Sequence, residues 1–295
     1  MSLVDRPISV SQIELFKKCP KQYYYRYHWS GRKSLPDKKT LPLILGSAVH
    51  KALEFFYRSH MAGVKIITIA PLEQEFTNAL LQLIEQAGTS LEYKKKRKSY
   101  SSDDAYKTAT DQELAQCHAT GIKLVNLFLR EYYASQARYK PIHVEHKMEF
   151  TFPDFGLPGL KDVSILGFID LIDQDTLTGQ TRIIDHKTSG DFDKSLIGTS
   201  LQLTLYNYYV SRYLKYDTKA VAYQLFNTRD PDLNWLYGSR DERYYLEMLK
   251  ELNAIIPCMK NGPFYKRESD QACRFCNIAT QCQALEEIKE PEPVA

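Results

Sequence analysis

The chain has 295 residues, 43% of them hydrophobic and 25% charged, with a formal net charge of +3: enough for a sizeable buried core, but too little charge to name a polyanionic partner. No apolar run approaches the ~20 residues of a membrane span, and MSLVDRPISV lacks the basic cluster and apolar block of a secretory signal. A cytoplasmic protein is expected, whose six cysteines are better read as metal ligands or spare thiols than as disulfides.

In chain order, SVSQIELFKKCPKQYYYRYHW opens on a capping-box pattern, Ser11 to Glu14, and predicts a helix interrupted at Cys19-Pro20. Val49, Ala52, Leu53 and Phe56 stand at helical spacing in a second helix after Gly46. Helical pattern returns from Pro71 to Ala87 and from roughly Asp104 to Tyr139, with the basic, then polar, EYKKKRKSYSSDD between them. From Pro141 the period becomes that of strands: IHVEHKMEFTF, VSILGFIDLID and TRIIDHK, the last two joined by the turn DTLTGQ. SLQLTLYNYYVSRYL reads as a helix, KAVAYQLFN as a strand, and SRDERYYLEMLKELNAIIPCM as the last long helix before an acidic tail, EEIKEPEPVA. This order predicts an α/β fold, a mixed sheet flanked by helices, with a helical insertion.

The strand TRIIDHK ends on an acid and a base two residues apart, so Asp185 and Lys187 share one face and His186 takes the other. If the preceding strand pairs with it through DTLTGQ, Asp170 comes to lie beside Asp185. Two carboxylates on an apolar sheet repel unless a proton or a cation holds them, and a hard divalent ion accepts such ligands. Lys187 beside them could steady a phosphate or help position and deprotonate a water. That set serves metal-assisted phosphodiester hydrolysis. An acid-x-Lys triplet alone is more often a capped strand end with a solvated lysine. His50 stands at the edge of its helix's buried stripe, where an imidazole could complete a metal shell, and Gln202 and Tyr206 share a face four residues apart. Glu145 and Glu149 alternate with apolar residues as on any half-exposed strand, and are left outside the metal shell.

Near the C-terminus, ACRFCNIATQC sets Cys273, Cys276 and Cys282 in a C-x2-C-x5-C pattern. A fourth thiolate is needed, and Cys19, followed by Pro, is the natural candidate, with Cys258 its rival and Cys117 a helix-face residue. Either an iron–sulfur cluster or zinc suits such a quartet.

Taken in order, His50, Asp170, Asp185-x-Lys187, Gln202-x3-Tyr206 and the cysteines resemble the RecB-type branch of the PD-(D/E)XK nucleases, and in particular the iron–sulfur exonucleases of the AddB and CRISPR-adaptation families. The likeness runs from Ser9 to Cys282, apart from the stretch between about Met61 and Lys140. It implies a restriction-endonuclease-like fold, and magnesium or manganese at His50, Asp170, Asp185 and the main-chain carbonyl of His186. Lys187 would be the catalytic base, Gln202 and Tyr206 accessory residues, and a four-iron four-sulfur cluster on Cys19, Cys273, Cys276 and Cys282 would join the chain ends. The corresponding division is N-terminal helices with the first cysteine over 1–60, insertion over 61–140, nuclease core over 141–257, and cysteine segment with tail over 258–295.

The expected activity is a metal-dependent DNA exonuclease acting on single- or double-stranded ends, in repair, recombination or phage- or CRISPR-related processing. The alternatives are an endonuclease of the same fold or a catalytically inactive DNA-binding subunit of a repair assembly. With no Walker-type GKT or GKS, any helicase partner is a separate chain. The wide gap between His50 and Asp170 sets the chain apart from a compact CRISPR-adaptation exonuclease. Basic and aromatic residues interleave in KKCPKQYYYRYHW, as in a single-strand groove, although a Tyr-rich helix more often supplies core packing. The run Lys94 to Lys98 is either a phosphate-contacting loop or a solvated connection.

Overall fold

A two-residue strand, β1 (Ile8–Ser9), leads directly into helix α1 (Val10–Lys18). The computed structural model describes residues 6–30, 40–87, 92–93, 107–135 and 138–267, with Cys273, Cys276, Ile278, Ala279 and Cys282. The capping box falls on Ser9 and Gln12, not Ser11 and Glu14: Ser9 Oγ accepts the Gln12 N–H while Gln12 Oε1 accepts the Ser9 N–H at 2.8 Å. The helix has to start early because Val10, Ile13 and Phe16 form its buried stripe. The break at Cys19 is as expected; its Sγ accepts the Gln22 N–H, and Pro20 opens α2 (Pro20–Tyr27), where no donor is required.

Helices α3 (Leu41–Met61), α4 (Ile69–Ala87) and α5 (Asp111–Ala134) form one layer, with a short antiparallel ribbon, β2 (Glu92–Tyr93) and β3 (Lys107–Thr108), between α4 and α5. The last helix of this group is shorter than expected at both ends. A capping box between Thr110 and Glu113 sets its start, and Tyr139 already belongs to a strand. Gly121 lets α5 approach α4, since a Cβ there would lie 1.9 Å from the Phe76 ring.

The main sheet contains β4 (Tyr139–Thr151), β5 (Ser164–Asp175) and β6 (Thr181–Ser189), an antiparallel meander as the sequence predicts. After the short α6 (Leu196–Thr199), α7 (Leu201–Arg212) crosses over to β7 (Thr218–Asn227), which is parallel to β6. One further strand, β8 (Asp232–Ser239), pairs antiparallel with β7 before α8 (Glu242–Asn261). This strand escaped the sequence reading because it is an edge with no fully buried position.

β4 occupies one edge of β5 along almost all its length. The other edge is shared: β6 pairs with it from Leu171 to Gln174, and β1 runs parallel to it at Ile165 and Leu166. The sheet therefore forks at Asp170, with β6 leaving on one side and β1 with α1 entering on the other. Both faces are covered. Helices α1, α7 and α8 bury Ile165, Ile169 and Ile183 on one, and α3, α4 and α5 bury Val144, Leu171 and Ile184 on the other. Among the described residues no helix is long and apolar enough to cross a membrane.

Candidate active site

The last paired residues before the fork are Leu171 and Ile184, so Asp170 and Asp185 come next on the two diverging strands. The freed main chain is put to use: His186 N–H donates to Asp170 Oδ2 at 2.7 Å. Burial, reinforced by the neighbouring Asp185 carboxylate, pushes the Asp170 carboxyl well above the usual carboxylate range. Asp185 is only 2% exposed.

Lys187 Nζ lies 2.6 Å from Asp185 Oδ2 and donates to Gln202 Oε1 at 3.1 Å. Gln202 Nε2 in turn donates to the Tyr206 hydroxyl at 2.9 Å, one turn further along α7. Burial pulls the Lys187 pKa down, but the Asp185 carboxylate outweighs it and the net shift is upward. His186 points to the opposite face, stacked on Tyr57, and burial holds its pKa far below the ordinary value.

His50 reaches the fork from α3, whose neighbouring Ala48, Val49, Ala52 and Leu53 are buried against the sheet. Its Nε2–H donates to the His186 carbonyl at 2.9 Å, and its Nδ1 lies 3.7 Å from Asp170 Oδ2. Burial lowers its pKa against the pull of Asp185, which keeps the imidazole in the neutral form that metals bind.

One residue that the sequence reading set aside belongs to this group. Ligand atoms of His50, Glu145 and Asp170 lie within 4.8 Å of one another. Glu145 holds a positive φ of 47°, a conformation costly for a side chain with a Cβ. Burial and the nearby Glu54 raise its pKa. Glu149 behaves as expected, pairing with Lys147 at 2.5 Å on the exposed side. No signal in the sequence separates the two, since Glu145 follows the buried Val144 as Glu149 follows the buried Met148. The donor set is one neutral imidazole, carboxylate oxygens and a carbonyl, which fits magnesium or manganese, and a cation would relieve the repulsion that raises Asp170.

Between the arms of the fork lies a cleft of about 490 Å³, lined by Lys187, Gln202 and Tyr206 together with Ser9, Glu14 and Phe168. Glu14 and Phe168 were not anticipated. Burial raises the Glu14 pKa, against the pull of Lys17.

The segment after α8 meets α2. Lys21 N–H donates to the Tyr265 carbonyl at 3.1 Å, and Phe264 packs on Tyr23, Tyr24 and His28. Cys19 is buried at the start of α2; Cys273, Cys276 and Cys282 lie on the C-terminal segment. Among the described residues these thiols are not drawn together as the His50 group is. The tyrosines of α2 serve packing: Tyr23 and Tyr25 are buried, with Tyr23 edge-on to Phe16. Lys17 is engaged by Glu251 at 2.8 Å. The basic run Lys94 to Lys98 lies outside the described residues.

Comparison with known proteins gives a family. The model of the PD-(D/E)XK nuclease superfamily matches residues 7–283. The solved structure described as "Crystal structure of SSO0001" aligns over 93% of this chain and 96% of its own, at 13% identity and a TM-score of 0.34. No curated protein matches the chain.

Proposed function

The chain belongs to the PD-(D/E)XK nuclease superfamily, and on that premise we propose that it is a magnesium- or manganese-dependent DNA exonuclease whose reaction takes place at the sheet fork. The observation that carries the proposal is the convergence of His50 and Asp170 at one point, with Lys187 held 2.6 Å from Asp185 beside it. We assign the ion to His50, Asp170, Asp185 and the His186 carbonyl, with Glu145 as a further oxygen donor. A divalent ion there supplies a Lewis acid and lowers the pKa of an attacking water.

The remaining work falls to the chain. Lys187 is an ammonium in this arrangement, held by Asp185 and aimed by Gln202, so it can neutralise charge that builds on the phosphate. Asp185 is also what keeps the proton on Lys187. Without that carboxylate the ammonium would lose its support and could release its proton to solvent. The neutral amine left behind could then accept a proton from the attacking water, the role of base that the resemblance implies. Tyr206 fixes Gln202, and Gln202 fixes Lys187, so the amine is oriented before substrate arrives.

The preference for an exonuclease, the RecB-type affiliation, and a place in DNA repair, recombination or phage-related processing all rest on the order of motifs in the sequence. So does the four-iron four-sulfur cluster, with zinc as its alternative; the Lys21–Tyr265 hydrogen bond, which sets the segment after α8 against the helix that Cys19 opens, is compatible with a staple there. A separate helicase chain is the partner that fits a nuclease without a nucleotide-binding loop. The test is digestion of linear and circular DNA, single- and double-stranded, with magnesium or manganese. An exonuclease shortens linear strands from an end and spares circles; cutting of circles would make it an endonuclease, and no cutting of any substrate would remove the hydrolytic reading.

A further inference from the structure

Phe168 stands out on β5. Gly167 and Ile169 on either side are buried, yet the Phe168 side chain is 51% exposed and lies on the cleft wall with Lys187, Gln202 and Tyr206. Leaving such a ring uncovered forgoes much of the ~1.5–3 kcal/mol that full burial would supply. The strand is closely packed beside it: a Cβ on Gly167 would come within 2.9 Å of Met148 and 3.0 Å of Tyr206. Phe168 is two residues from Asp170, about 6.6 Å along the strand, close to the length of one extended nucleotide.

We infer that Phe168 is the base-stacking residue of this site, receiving the face of the nucleobase adjacent to the scissile phosphate. This rests on the nuclease reading above. The occupant is a nucleobase because the ring shares one largely apolar cleft with the Lys187 amine, which can take the phosphate of the same nucleotide. Lys147 lies directly opposite on β4, paired with Glu149, and the cleft wall carries Lys187, Gln202 and Glu14 beside the apolar Val10, Leu166 and Tyr206. An aromatic face beside an amine suits the two parts of a nucleotide, base and phosphate. Stacking on one ring is indifferent to base identity, so the site it creates positions the strand without reading its sequence.

The test uses the full chain and a short labelled single-stranded oligonucleotide, with binding read by fluorescence anisotropy in calcium and cleavage read separately in manganese. Phe168→Ala should weaken binding on the order of 5- to 150-fold, the value of one stacked base, while Phe168→Tyr stays within about twofold of wild type. Phe168→Leu keeps an apolar side chain without a π face and should bind as weakly as the alanine variant. An abasic site next to the cut position should weaken wild type and leave Phe168→Ala unchanged. Thermal unfolding of each variant checks that the fold is retained. Wild-type affinity in a folded Phe168→Ala variant overturns the stacking role and leaves the nuclease reading standing if manganese-dependent cleavage persists. Binding that depends on Phe168 without cleavage in magnesium or manganese keeps the stacking role and removes the hydrolytic one; failure of wild type to bind DNA removes both.

Discussion

Lys187→Met isolates the electrostatics of the fork. The substitution keeps the apolar stem and removes the ammonium that lies 2.6 Å from Asp185. Breaking a buried ion pair by deleting one partner costs ~3–5 kcal/mol, because the other charge is left in a poor solvent. The Lys187 side chain is 33% exposed, so water screens part of the field and about 3 kcal/mol is the appropriate figure. Protonation of Asp170, whose carboxyl is already pushed up, caps the loss. In chelator the variant should therefore melt about 6 °C below wild type, taking ~2 °C per kcal/mol for a chain of this length. Manganese should narrow that gap. An ion at 100 times its Kd stabilises a protein by ~2.7 kcal/mol, and in the variant it meets carboxylates that no ammonium has already neutralised. Differential scanning fluorimetry in chelator and across a manganese series measures both effects, and cleavage should be lost throughout. Melting at the wild-type temperature in chelator, or a manganese gain no larger than that of wild type, would refute the idea that Lys187 and the ion share the burden of the same two carboxylates.

The remaining predictions concern other parts of the molecule. Glu145→Gly removes the metal-side carboxylate and relieves a positive-φ residue; relief of ~1–2 kcal/mol against ~0.5–1 kcal/mol of added chain entropy leaves urea stability equal or slightly higher. The same variant should bind manganese about 10- to 100-fold more weakly by calorimetry, and unaltered affinity would take Glu145 out of the shell. Gly121→Ala drives a methyl into the Phe76 ring and should cost ~1–3 kcal/mol in urea unfolding; no loss would mean that α4 and α5 do not pack as closely as described. Protein purified without oxygen should be brown, with visible absorbance that Cys282→Ser abolishes, whereas colourless protein with stoichiometric zinc would replace the cluster by a zinc staple.

Much of the site was legible because its residues sit on periodic elements. Asp185 and Lys187 share a face by strand alternation, Gln202 and Tyr206 by helical spacing, and the turn at DTLTGQ sets the register that puts Asp170 and Asp185 one residue beyond the last pair, Leu171 and Ile184. His50 stood out as a polar residue at the margin of an apolar stripe. Glu145 did not, since it and Glu149 occupy equivalent places in an alternating pattern, and only a left-handed backbone turns one of them towards α3. Phe168 was hidden for the opposite reason: in an apolar strand a phenylalanine reads as core, and its exposure follows from the fork, a long-range feature that no local period encodes. The edge strand β8 and the capping residue Ser9 were missed for more ordinary reasons. Weak alternation at an edge carries little signal, and two serines two residues apart offer the same cap until the buried stripe is known.

The most direct measurement compares wild type with Asp185→Asn on end-labelled single-stranded DNA in manganese, with bound manganese and thermal stability determined on the same samples. Asparagine preserves the shape of the side chain and removes the charge at a residue 2% exposed, so the variant should be folded, bind manganese more weakly, and leave the DNA uncut while wild type shortens it. Cutting by Asp185→Asn at the wild-type rate would contradict a reaction centred on the sheet fork.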